Sequence, residues 1–147
     1  QGCKFEYSKK FLRIIPNQVL NSVNVNTSPF PGFPTDLQAP FMALMATVDG
    51  TSQIKETVFE NRMHHVKELN RMGANITLKD NIATIVGVKN LQGRDVVGSD
   101  LRATAALALA GLSANGKTTV RGLEHLERGY EDFSNKLEEI GAKILKK

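Results

Sequence analysis

The sequence predicts an α/β protein built from a repeated strand–helix–strand–helix–strand unit. Three observations lead there. A short acidic motif recurs 64 residues apart, an offset that grows to 68 along the unit, apolar residues fall at helical spacing after each copy, and β-branched runs bounded by glycine follow. The motif is Thr35-Asp36-Leu37, which returns as Ser99-Asp100-Leu101. After each copy comes an apolar helix, then Gly50 or Gly116 and a short strand. An acidic residue near an arginine is next, at Glu60-Asn61-Arg62 and Glu127-Arg128. A second helix then ends in Gly73-Ala74 or Gly141-Ala142. The chain divides accordingly into N-terminal strands and a Pro-rich link (1–34), a first unit (35–98) and a second unit (99–147), all within one partial domain.

The helices follow from spacing. Leu37, Phe41, Leu44, Met45 and Val48 share a face, and Leu101, Ala105, Ala108, Leu109 and Leu112 repeat it. Narrower stripes run through Val66, Leu69 and Met72, and through Tyr130, Phe133, Leu137 and Ile140. Gly73 and Gly141 suit the residue after a helix, where φ turns positive without a Cβ clash. Strands are expected after them at 75–78 and 143–146. A turn at Lys79-Asp80-Asn81 leads into a strand at 82–86. Val23 and Val25 alternate with Asn, as in a half-exposed strand. Pro40 requires its helix to begin near Asp36, because its missing N–H is tolerated only in the first turns.

Composition narrows the function. The 147 residues are 41% hydrophobic, enough for a core, and no apolar run approaches the roughly 20 residues that span a membrane. A net charge of +4 with 6% aromatic residues gives no basic stripe with interleaved aromatics, so small anions are favoured over a polynucleotide. Gln1 reads as a cut end and not as the start of a signal peptide. The single cysteine, Cys3, excludes an intrachain disulfide, fits a reducing cytoplasm and reads as a buried or half-buried side chain. His64 and His65 point about 100° apart on a helix and lack other ligands at metal spacing, so they read as surface or groove residues and no metal is expected. Gly-rich phosphate loops and nucleophile–base sets are absent, and no cofactor is expected.

What remains is a set of charges at helix starts. Thr35 with Gln38 fits a capping box, and Asp36 and Asp100 suit the positive end of a helix. Arg102 sits in a first turn, and Arg62 and Arg128 lie just before second helices. A cation there opposes the dipole unless it shares an anion with the helix N–H groups. Arginine suits carboxylate or phosphate because its planar fork binds in two places. The alternative is local ion pairing with Asp100, Glu60 or Glu127.

Four strings then carry a resemblance: Phe33-Pro34-Thr35-Asp36-Leu37-Gln38-Ala39-Pro40, Glu56-Thr57-Val58-Phe59-Glu60-Asn61-Arg62, Ser99-Asp100-Leu101-Arg102-Ala103 and Leu126-Glu127-Arg128-Gly129-Tyr130-Glu131. Together they resemble the UDP-N-acetylglucosamine enolpyruvyl transferase family over essentially the whole chain. The resemblance implies transfer of the enolpyruvyl group of phosphoenolpyruvate to the sugar 3′-hydroxyl of UDP-N-acetylglucosamine. In the family that is the first committed step of peptidoglycan synthesis, in the cytoplasm. It implies a fold of βαβαββ units in an inside-out barrel, about two of six present here. Asp36 matches the carboxylate that contacts the sugar hydroxyl, the candidate base. Val58 matches a backbone contact to the UDP-sugar. Arg102 and Arg128 match arginines that hold phosphoenolpyruvate. Arg62 and Asp100 match active-site positions of unspecified role. The family's catalytic cysteine belongs to a Gly-rich loop in the rest of the parent enzyme, and Cys3 has no such context. The chain alone is therefore expected to be inactive. The alternatives are a non-catalytic binding or scaffold domain of the same fold, and the sister transferase acting on a shikimate phosphate.

Overall fold

Two parallel strand–helix–strand crossovers organise the structure, a computed structural model that describes residues 3–15 and 19–145. In the first, β3 (Val25–Asn26) leads through a 3-10 turn (Thr35–Leu37) into α1 (Gln38–Met45) and back along β4 (Thr51–Lys55). In the second, β7 (Asp95–Val97) leads into α3 (Leu101–Ser113) and back along β8 (Thr119–Arg121). Between them lie α2 (His65–Arg71) and the hairpin of β5 (Asn75–Lys79) and β6 (Ile82–Val86). A separate hairpin, β1 (Lys4–Tyr7) and β2 (Leu12–Ile15), precedes the first crossover, and α4 (Phe133–Glu139) follows the second.

The larger sheet has the order β3-β4-β6-β5, with β6 antiparallel to both neighbours. Its strands alternate as half-buried strands do: Ser52 and Ile54 of β4, and Ala83 and Ile85 of β6, turn inward. The β5–β6 turn is the expected one, with Asp80 at φ 52. Gly73 and Gly141 follow α2 and α4 at φ 90 and 103, the left-handed conformation that a glycine takes without a Cβ clash.

The core lies between the sheet and the helices, and its centre is the α1–α3 contact. The inner faces are mostly small: Ala39, Ala43 and Ala46 from the first helical segment, and Ala103, Ala106 and Ala110 from α3, with Met42 and Leu107 fully buried. The predicted faces hold in part: Met45, Val48 and Ala105 are buried and Phe41 packs against the core. Leu37, Leu44, Leu109 and Leu112, expected inward, are exposed. Both helices are apolar nearly all round, so the spacing of large residues does not select a face. Close approach of two helix backbones does, and it favours alanine. The α2 stripe is as predicted, with Val66, Leu69 and Met72 buried. The α4 stripe is not, since no α4 residue is buried. Residues 143–145 do not form the expected strand; no neighbouring strand pairs with them among the described residues, and Lys146 lies outside those residues.

Replacing Ala106 by Leu forces extra volume into the α1–α3 contact. Ala106→Leu is expected to cost about 1–3 kcal/mol, and Leu112→Ala on the exposed face about 0.5 or less, read from denaturation midpoints. Equal effects at the two positions would contradict this packing.

Candidate active site

The site begins with a buried carboxylate. The chain leaves β4 at Lys55, and the next residue, Glu56, is only 2% exposed. An unpaired carboxylate there would be costly, and this one is saturated. Its Oε1 accepts from the Thr27 hydroxyl (2.8 Å) and from the backbone N–H groups of Val58 (2.9 Å) and Phe59 (3.2 Å). Its Oε2 accepts from the Thr35 hydroxyl at 2.8 Å. Burial alone would raise the Glu56 pKa, but these hydrogen bonds outweigh it and hold it below the usual 4.5. The Glu56 backbone pairs with Asn81 in the β5–β6 turn, through Glu56 N–H to Asn81 O (2.9 Å) and Asn81 Nδ2 to Glu56 O (2.7 Å). One side chain thus joins the strand ahead of the Pro-rich link, the start of α1 and the loop after β4.

Thr35 passes the constraint outward. Its hydroxyl donates to Glu56 and accepts from Arg62 Nη1 at 2.7 Å. The expected Thr35–Gln38 capping box is therefore not formed. The turn before α1 has no side-chain cap, Thr35 is committed to Glu56, and the buried Gln38 Nε2 has no partner among the described residues. Arg62 is fixed on a second side by Phe59, whose ring centroid lies 4.1 Å from its Cζ. Its Nη2 reaches Asp36 Oδ1 at 3.6 Å. Arg102 of α3 meets the same oxygen, Nε to Oδ1 at 2.5 Å. So Arg62 and Arg102 avoid the neighbouring acids considered in the sequence and converge on Asp36 from the loop before α2 and from α3. Asp36 keeps much of its side chain in solvent, 66% exposed. Two guanidinium groups thus flank one accessible carboxylate. Beside Arg62, a separate open depression of about 430 Å³ is bordered by Glu56, Glu60, Asn61 and Asp80, and neither Asp36 nor Arg102 lines it.

Asp100 has a different part. It is the N-cap of α3, and its Oδ1 accepts from the N–H groups of Arg102 (2.8 Å) and Ala103 (3.1 Å). Burial would raise its pKa; these bonds, Ser99 and nearby His65 bring it below 3.8. The cap sets the direction in which α3 starts, and Arg102 is in that first turn. His65 corrects the expectation of a surface histidine. It is 3% exposed, its Nε2 has no partner among the described residues, and burial lowers its pKa to about 4 despite the Asp100 charge. His64 is exposed, as expected.

Val58 lies beside Glu56, to which its N–H donates at 2.9 Å. Arg128 is exposed on the turn before α4 and has no ion pair with a described residue. That turn lies against the start of α3, since a Cβ on Gly129 would come within 2.8 Å of Leu101 Cδ2. Arg128 is thus carried next to the segment that bears Arg102. The structure brings Asp36, Arg62 and Arg102 into contact and sets Asp100 behind Arg102. Glu56 was not singled out from the sequence. A carboxylate ending a strand within a Thr-rich neighbourhood is a weak signal, because Thr27 and Thr35 are far from it along the chain.

Comparison with known proteins bears on the family and the fold. Residues 2–137 match the profile of the family described as EPSP synthase (3-phosphoshikimate 1-carboxyvinyltransferase). The UDP-N-acetylglucosamine 1-carboxyvinyltransferase 2 of Prochlorococcus marinus is 59% identical over 97% of this chain and 34% of its own length. The UDP-N-acetylglucosamine 1-carboxyvinyltransferase of Trichormus variabilis is 55% identical over 96% of this chain and 32% of its own. The crystal structure of the enolpyruvyl transferase NikO from Streptomyces tendae superposes with a TM-score of 0.87 at 30% identity, covering 97% of this chain and 33% of that one. The chain spans about a third of the length of the curated relatives it matches.

Two pH effects follow. The depressed Glu56 pKa means that its contribution to stability is present above about pH 4.5 and is lost as pH falls through the folded value. Glu56→Gln should destabilise at pH 7 and converge toward the parent stability below pH 4.5. His65 is also depressed, from 6.5 to about 4, so stability falls as pH drops from 6.5 toward 4. His65→Gln should flatten that window in pH-dependent denaturation; an unchanged slope would contradict the burial of a neutral imidazole.

Proposed function

The chain belongs to the EPSP synthase family of carboxyvinyl transferases, and from that premise we propose a reaction for its parent protein. The parent transfers the enolpyruvyl group of phosphoenolpyruvate to the 3′-hydroxyl of UDP-N-acetylglucosamine and releases phosphate. The acceptor is taken from the names of relatives that are 55–59% identical over nearly all of this chain. The observation that carries the reading is the convergence of Arg62 and Arg102 on the accessible carboxylate of Asp36. It supplies a base and preorganised positive charge at one point, which a reaction between a hydroxyl and a small polyanion requires.

In this reading Asp36 accepts the proton of the sugar 3′-hydroxyl while that oxygen attacks C2 of phosphoenolpyruvate and C3 gains a proton. The tetrahedral adduct then loses a C3 proton and phosphate, which restores the vinyl group on the sugar oxygen. Arg102 and Arg128 hold the phosphate and carboxylate of phosphoenolpyruvate. The anion offers Arg102 a second partner in competition with Asp36, which releases the carboxylate toward the hydroxyl. Arg62, braced by Thr35 and Phe59, keeps Asp36 in place, and the Val58 carbonyl meets the UDP-sugar. Asp100 positions Arg102 through the α3 cap. The proton donor to C3 belongs to the rest of the parent enzyme; Cys3 lies at the N-terminal hairpin, outside the cluster, and has no role. The parent acts in the cytoplasm at the first committed step of peptidoglycan synthesis, and this chain alone turns nothing over.

In the full-length parent, Asp36→Asn should lower kcat by about 10²–10⁴ with a small change in KM. Arg128→Ala should instead raise the KM for phosphoenolpyruvate. Unchanged turnover in Asp36→Asn would remove the base assignment and leave a binding or scaffold domain. Turnover of a shikimate phosphate in place of the UDP-sugar would overturn the acceptor. Phosphate release by the purified 147-residue chain would overturn its dependence on the remainder.

A further inference from the structure

Arg102 and Arg128 leave the fold from two different places, the start of α3 and the turn after β8, so something must set the distance between them. Both lie beyond the same ends of two paired strands. β7 and β8 run parallel, with Val97 beside Arg121. The chain continues from Val97 through Gly98 to Asp100 and α3, and from Arg121 through Gly122 and a 3-10 turn (Leu123–His125) to Arg128. In the first crossover a buried charge holds the corresponding segments, since Glu56 joins Thr27, Thr35 and the loop after β4. In the second, α3 buries a hydroxyl. Thr104 is 0% exposed, and at a displacement of 64 residues it stands where the first crossover has Pro40.

Thr104 Oγ1 donates to Asp100 O at 2.7 Å and lies 3.4 Å from Gly122 O. Neither carbonyl needs it. Asp100 O already accepts the Thr104 N–H at 2.9 Å, and Gly122 O accepts the His125 N–H at 3.1 Å. Alanine would serve the helix at least as well, as it does at Ala103, Ala105 and Ala106. What the hydroxyl adds is a link between the loop that starts α3 and the loop that leads to Arg128. Two glycines make room for it. A Cβ on Gly98 would collide with Thr104 Oγ1, and a Cβ on Gly122, whose φ is 87, would lie 2.5 Å from Gly98 O. The Gly98 N–H donates to Arg121 O at 2.9 Å and closes the same junction from the strand side. Segments of this chain alone bury Thr104 completely, so the rest of the parent has no access to it.

We propose that Thr104 is a positioning residue for the phosphoenolpyruvate site: its hydroxyl joins the Arg102 and Arg128 loops and sets the spacing of their guanidinium groups for one small polyanion. This rests on the reading of Arg102 and Arg128 as phosphoenolpyruvate ligands. Steady-state kinetics of the full-length parent test it, with each substrate varied in turn. Thr104→Val keeps the side-chain volume and Thr104→Ala keeps the helix; thermal denaturation checks that both are folded. Each should raise the KM for phosphoenolpyruvate about fivefold and move the KM for the UDP-sugar by less than about twofold. Thr104→Ser, which keeps the hydroxyl, should bring the KM for phosphoenolpyruvate back to within about twofold of the parent. Arg128→Ala, measured alongside, tests the underlying reading. If Arg128→Ala raises the KM for phosphoenolpyruvate and neither Thr104→Val nor Thr104→Ala does, the proposal alone is overturned. It is also overturned if the two KM values rise together, or if Thr104→Ser is as impaired as Thr104→Val, because either result reports a general loosening of the fold. If Arg128→Ala leaves the KM for phosphoenolpyruvate unchanged, the reading of the arginines fails and the proposal falls with it.

Discussion

The structure depends on one buried carboxylate. Glu56 is removed from water, and it remains ionised because donors from three separate segments converge on it: Thr27, Thr35, and the backbone of Val58 and Phe59. A buried charge without such donors would cost several kcal/mol, so the segments must come together for the fold to close. The consequence is local order in chain that forms no regular element. The link from Pro29 to Pro34 and the loop from Thr57 to His64 are held to β4 and to the β5–β6 turn by this node.

From that node the constraint runs outward to the surface. Thr35 hands it to Arg62, Arg62 reaches Asp36, and Asp36 meets Arg102, whose backbone is held by Asp100 at the start of α3. A buried anion thus fixes a half-exposed cation, and the cation fixes an exposed anion. Side chains at the accessible end would otherwise sample many rotamers. Braced in this way they present a fixed pattern of charge, which is what electrostatic stabilisation of a developing anion requires. The α1–α3 contact completes the arrangement. Its alanine faces let the helix starts approach closely enough for Arg102 of α3 to reach Asp36 in the turn before α1.

Much of this was legible in the sequence, and the failures have physical causes. The helices and most of the strands followed from spacing and glycine, because α2 and α4 end where a positive φ is needed, but the strand expected at 143–146 did not form. Asp36 and Asp100 stood out as carboxylates suited to the positive end of a helix, and Arg62 and Arg102 as cations placed against it; the structure brings Asp36, Arg62 and Arg102 into contact. The faces of the first helix and of α3 followed only in part: Met45, Val48 and Ala105 are buried, but Leu37, Leu44, Leu109 and Leu112 are not, because these helices are apolar nearly all round and backbone proximity, not side-chain size, decides what is buried. The Thr35 hydroxyl was assigned to a local cap and is used instead by a residue 21 positions away. His65 and Glu56 share that lesson. Whether a polar residue is buried depends on partners distant in sequence, and periodicity carries no information about them.

The most direct test is a double-mutant cycle in the full-length parent, combining Thr35→Val with Arg62→Ala and reading kcat/KM. Thr35→Val severs the link between Glu56 and Arg62, and Arg62→Ala removes the group that the link holds. If the buried carboxylate sets the geometry of the site, the two changes overlap, and the coupling energy should exceed about 1 kcal/mol. Effects that add to within about 0.5 kcal/mol would show that Arg62 is placed independently of Glu56, and would contradict the account.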